Sequence, residues 1–181
     1  MVAPEVEECT HAGQSPHELA TINAARKSFT TSANCLGKVV LGADTIVVLD
    51  DVVFGKPKDV AEARQMLQRL SGKMHEVITA VCISQQGEKN SVPPKSAQFA
   101  EVTKVYFREV NDAEIDAYLS RVYVLDKAGA YAAQEDEGQL IHHFEGDMDT
   151  VIGLPIMRVK QELTTHFPEL LERRDHHKSE S

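Results

Sequence analysis

The 181-residue chain has no tryptophan, little aromatic content (6%), and a shortage of positive charge: 19 Lys and Arg against 28 Asp and Glu, a formal net charge of −9. That balance disfavours a general affinity for nucleic acid or for an anionic membrane, although a few lysines or a metal can still hold an anionic small ligand locally. No apolar run approaches the roughly 20 residues of a transmembrane helix, and the N-terminus has no signal-peptide pattern. The three cysteines, Cys9, Cys35 and Cys82, are odd in number, far apart and outside any CxxC. Disulfides and a cysteine zinc site are therefore disfavoured, and a reducing cytoplasm is the expected setting. Neither G-x-x-x-x-G-K-[ST] nor G-x-G-x-x-G occurs, so a P-loop or Rossmann site has no support. No internal repeat and no linker divides the chain, which is expected to form one domain over residues 1–170 with a polar, disordered tail at 171–181.

What the sequence does contain is organised around residues 38–50, KVVLGADTIVVLD. The stretch is almost continuously apolar and β-branched, as expected of a strand buried on both faces. Asp44 sits in its middle, and a buried carboxylate needs pairing, hydrogen bonding or a metal. Two readings of this stretch stand side by side. Asp44 is a chemically active acid, or residues 42–45 form a turn or bulge in which Asp44 caps backbone N–H groups.

The flanking segments alternate. Ser15-Pro16-His17-Glu18 predicts a helix start with a capping box, and Leu19, Ile22, Ala25 and Phe29 give that helix an apolar face. Val52 to Phe54 reads as a hairpin return, followed by the cationic loop Gly55-Lys56-Pro57-Lys58. Asp59 with Glu62, and Asn111 with Glu114, are two further capping-box patterns, each opening a helix. Residues 75–84 and 99–110 read as strands separated by a Pro- and Gly-containing loop, and 141–144 as a short strand. An acidic turn at 145–150 precedes a last helix with Ile156, Val159, Leu163 and Phe167 on one face. Residues 1–9 are expected to fray. The class is α/β, with a mixed sheet and flanking helices.

Two loop lysines, Lys56 and Lys127, can act as point charges on a phosphate. Asp44, with Glu7 or Glu8 upstream, suits Mg²⁺ or Mn²⁺, which take carboxylate, water and substrate-phosphate oxygens. Against this stands the reading of such lysines and glutamates as solvated surface. His75 is a candidate base or a sheet-end hydrogen-bonding group. The pairs His142-His143 and His176-His177 have no supporting ligand set and receive no metal role.

Six strings in order, LGADTIVV from Leu41, FGKP from Phe54, AEARQML from Ala61, LSGKMHEV from Leu70, DKAGAY from Asp126 and VIGLP from Val151, resemble the Maf family of nucleoside triphosphate pyrophosphatases. The resemblance implies an inosine triphosphate pyrophosphatase-like α/β fold with a nucleotide cleft between two lobes. It implies hydrolysis between the α and β phosphates, a divalent metal, and, through Thr45 and Gln134, the dTTP/UTP-selective branch; modified pyrimidine nucleotides and a homodimer are also compatible with it. By the same resemblance Asp44 is the proton acceptor, Lys56 contacts phosphate, Lys127 and Gln134 belong to the substrate site, and Glu8 joins Asp44 as a metal ligand. Departures accompany it. The family's first strand and Ser-x-Ser-x-Arg-Arg loop have no counterpart before Glu5, its lysine in the first long helix aligns with Asn23, and acids occupy residues 147 and 149. These departures predict a weaker positive field and raise an alternative: a catalytically degenerate nucleotide-binding or cell-division regulatory module.

Overall fold

The computed structural model describes residues 13–87 and 94–170. Five strands form one sheet, in the order β2-β1-β3-β4-β5: β1 Val39–Leu49, β2 Val52–Phe54, β3 Met74–Gln85, β4 Lys95–Phe107 and β5 Ile141–Glu145. The α/β class with flanking helices is what the sequence predicts. Within the sheet, every pairing among the described residues is antiparallel, where a mixed sheet was expected. The two-residue connection at 50–51 accounts for the β1–β2 pairing, since parallel neighbours need longer crossovers; β1–β3 and β4–β5 are antiparallel across longer, helix-containing connections. The expected fraying of residues 1–9 and the disorder at 171–181 fall outside the described residues.

Strand β1 settles the open reading of residues 42–45. It runs without a bulge through Gly42 and Asp44, and each residue from Val39 to Val48 has a partner in β3. Gly42 serves a close approach rather than a turn. A Cβ there would lie 2.5 Å from both the Ala24 carbonyl and the Ser28 amide of the overlying helix. The chain reverses at Asp50-Asp51, both with positive φ, the backbone that matches the twist of a two-residue hairpin.

Helix α1 (Pro16–Ala33) covers one sheet face. Its Ala20 and Ala24 pack on Ile46, Val48, Ile78, Ala80 and Cys82, the even-numbered positions of β1 and β3. On the opposite face, α2 (Val60–Leu70) and α3 (Asp112–Arg121) place Leu67, Leu70, Ile115 and Tyr118 against Val47, Leu49, Val77 and Val105. Farther along that face, α5 (Ile156–His166) and the residue after it set Val159 and Phe167 on Val81, Ile83 and Phe99. The short helix α4 (Met148–Ile152) takes up the end of the predicted acidic turn. Strand β4 begins four residues before the predicted start and ends three earlier.

The Ser15–Glu18 and Asn111–Glu114 capping boxes are complete. At α2 the pattern is shifted: Asp59 accepts from the Glu62 amide, but the Glu62 carboxylate takes the Lys58 amide rather than that of Asp59.

Candidate active site

A cavity of about 560 Å³ lies beside residues 43–47 of β1. Its other walls come from five places: Lys27 of α1, Gly55-Lys56 after β2, Val77 of β3, residues 126–128 with Tyr131, and residues 151–153 at the end of α4. Alternation along β1 divides it chemically. Asp44 points to the face of α1, and Thr45 points to the face of α4.

Asp44 is 5% exposed, so its carboxylate must be compensated by protein groups. Lys27 Nζ lies 2.5 Å from Oδ1, and Asn23 Nδ2 donates to Oδ2 at 3.3 Å. Asn23 and Lys27 are one helical turn apart on the same face of α1. The weaker positive field expected from Asn23 is therefore answered four residues later. The sequence signal was available in that i, i+4 spacing, but it required knowing which face of α1 meets Asp44.

On the other side, Thr45 Oγ1 and Thr79 Oγ1 are 2.8 Å apart, and Thr79 Oγ1 donates to the Thr150 carbonyl at 2.7 Å. Tyr131 closes the cleft floor. Its hydroxyl is 2.9 Å from His75 Nε2, and His75 is 1% exposed with its ring edge-on to Phe107. Burial pushes the His75 pKa down to about 4 and raises that of the Tyr131 phenol. His75, the second residue of β3, is thus a buried, neutral group that hydrogen-bonds at the strand end and anchors the end of the 126–131 segment, as the second of its two sequence readings has it.

Asp44, Thr45, Lys56 and Lys127 all line the cavity. Lys127 pairs with Asp126 at 3.1 Å. Gln134 is exposed on a 3-10 turn at Ala133–Glu135 and is not among the lining residues. Glu8 and Glu7 lie outside the described residues. Among the described residues there is no group of three or more His, Cys, Asp and Glu placed to hold a metal ion. Two carboxylates, Asp44 and Asp126, do line the cavity. Each is paired with a lysine, Asp44 with Lys27 and Asp126 with Lys127, and carboxylate oxygens of this kind are the donors that Mg²⁺ or Mn²⁺ takes together with water and phosphate.

The arrangement of one buried acid, three lysines and an apolar wall suits a polyphosphate carrying a flat ring. The family described as Maf-like protein matches residues 1–166. The dTTP/UTP pyrophosphatase of Bacillus cytotoxicus is 42% identical over 163 residues, 90% of this chain and 82% of that protein. The dTTP/UTP pyrophosphatases of Bacillus cereus (42%, covering 90% and 77%) and Bacillus anthracis (41%, covering 90% and 82%) are similar to the same extent.

Proposed function

This chain belongs to the Maf family, and from that premise we propose that it is a nucleotide pyrophosphatase that converts dTTP and UTP to the monophosphate and pyrophosphate. Modified pyrimidine triphosphates fall within the same reading. The observation that carries it is the buried Asp44 held by Lys27 and Asn23 in a cleft that Lys56 and Lys127 also line.

In this mechanism water attacks the α-phosphorus and Asp44 takes its proton. The bond from that phosphorus to the bridging oxygen breaks, and pyrophosphate leaves with the electron pair. Lys27, Lys56 and Lys127 offset the charge of the phosphate chain, and Lys27 also holds the Asp44 carboxylate in place. A divalent ion bound through Asp44, and by the family resemblance Glu8, would polarise a phosphoryl oxygen. Ile152, 43% exposed, offers apolar surface to the base, backed by the buried Val47, Val77 and Tyr131 that line the cavity beneath. The role of Gln134 toward the base rests on the family resemblance, since it lies outside the cavity lining.

The net charge of −9 favours a small nucleotide over nucleic acid as the partner. Cys35 and Cys82 are free thiols, in keeping with a cytoplasmic protein, and no described helix is long and apolar enough to cross a membrane. A homodimer is the assembly the resemblance suggests, and light scattering tests it.

The decisive assay is pyrophosphate release from dTTP and UTP with Mg²⁺ or Mn²⁺. Activity is expected to vanish with EDTA and return with either metal. Asp44→Asn should lower it by at least 10²-fold, the scale of losing a group that acts in the transition state. Equal release by the native and Asp44→Asn proteins, or none by the native protein, refutes the proposal. Binding of dTTP without turnover would instead favour the degenerate nucleotide-binding module.

A further inference from the structure

Thr79 lies behind the cleft, 0% exposed, on β3 directly opposite Thr45. A hydroxyl has one proton to give and two lone pairs to receive. Thr79 gives its proton to the Thr150 carbonyl at 2.7 Å, and that carbonyl can only accept. The 2.8 Å contact between Thr45 Oγ1 and Thr79 Oγ1 must then be made with the proton of Thr45. The direction of the chain is fixed: Thr45 to Thr79 to Thr150.

The consequence appears at the cleft. With its proton turned inward, the Thr45 oxygen presents lone pairs outward and can only accept. Gly153, with φ +109°, keeps the approach open, because a Cβ there would stand 3.1 Å from the same oxygen. Ile152 supplies exposed apolar surface alongside, over the buried Val47, Val77 and Tyr131 of the cavity lining. This is a ring-binding wall with one outward acceptor.

We infer that Thr79 is a specificity-determining positioning residue: by consuming the proton of Thr45, it makes the cleft select bases that carry a ring N–H donor. Uracil and thymine have an N3–H between two carbonyls, whereas the cytosine N3 is an acceptor. Lone pair would face lone pair for cytosine, leaving both groups unmatched on closure. The inference rests on the nucleotide reading of the cleft, and it adds what that reading lacks, a physical basis for choosing among pyrimidines. Strand alternation separates the two tasks, with Asp44 at the phosphate on one face and Thr45 at the base on the other.

The experiment measures binding without turnover. Calorimetry with Mg²⁺ compares the α,β-methylene analogues of UTP and CTP on the native protein, Thr79→Val and Thr79→Ser. The native protein should favour the uracil analogue by roughly 10- to 100-fold, the factor of an unmatched buried polar group. Thr79→Val releases the Thr45 proton, so the hydroxyl can turn outward as a donor and the ratio should fall to within about threefold of unity. Thr79→Ser keeps the chain of hydrogen bonds and should keep the ratio. Should Thr79→Val not fold, Thr45→Val removes the acceptor itself and should abolish the preference. Equal native affinity for both analogues, an unchanged ratio in Thr79→Val, or in its place an unchanged ratio in Thr45→Val, overturns the inference. Selective binding without pyrophosphate release would defeat the proposed reaction and leave this inference standing; release with an unaltered ratio in the valine variant would do the reverse.

Discussion

Replacing Lys27 with methionine removes the cation 2.5 Å from Asp44 while keeping an unbranched apolar stem in α1. The carboxylate that remains is 5% exposed, and Lys27 itself is 23% exposed. Breaking a fully buried pair costs about 3–5 kcal/mol, because a charge is left uncompensated. Here Asn23 still donates to Oδ2, and the lysine end reaches solvent, so about 1–3 kcal/mol is the expected loss. Urea unfolding reads this directly. With m near 2 kcal/mol/M, the midpoint should fall by roughly 0.5–1.5 M at unchanged m. The Lys27→Met, Asp44→Asn double variant supplies the stronger test. Neutralising Asp44 removes the reason for the loss, so the two single effects should exceed the double by about 1–2 kcal/mol. In turnover, Lys27→Met should lower kcat by about 10²–10³ with little change in KM, since the charge acts at the reacting phosphorus. Strict additivity of the two stability effects, or an unaffected kcat, would refute the account of Lys27 as the group that holds Asp44.

Other perturbations test separate parts of the structure. The folded-state pKa of His75 is lowered from 6.5 to about 4, so the unfolded chain binds a proton that the native state refuses. Its contribution is full above pH 6.5 and is lost as pH falls toward 4, a decline of about 3 kcal/mol. His75→Gln, which stays neutral and can still meet the Tyr131 hydroxyl, should flatten stability over that window in pH-dependent thermal melts. Gly42→Ala drives a Cβ into the α1 backbone at 2.5 Å, where no side chain can give way. A loss of at least about 3 kcal/mol is expected by chemical denaturation, the upper end of overpacking. Leu67→Ala, at 0% exposure on the buried face of α2, should cost about 2–5 kcal/mol by the same measurement and leave the UTP KM near its native value.

Much of this architecture is local in origin and could be read residue by residue. The β-branched run of β1 gave a buried strand, and serine, aspartate and asparagine caps placed the starts of α1, α2 and α3. Periodicity put Val159, Leu163 and Phe167 on one buried face of the last helix, while Ile156, read onto the same face, is exposed. Asp44 stood out because a carboxylate inside an apolar strand demands a partner. The sequence did not name that partner. Lys27 is an ordinary surface-like residue until α1 is laid across β1, and Gly42 resembles a turn former until Ala24 and Ser28 press on it. The hydroxyl chain of Thr45, Thr79 and Thr150 joins residues 34 and 71 positions apart. The His75–Tyr131 contact spans 56. Propensity and periodicity act over a few residues, and they suffice to mark the strands, the helices and the acid that is costly to bury. Register, helix placement and the direction of each hydrogen bond depend on distant segments meeting, so the groups around that acid and the facing of the Thr45 hydroxyl follow from the packing of α1, β3 and α4 on β1.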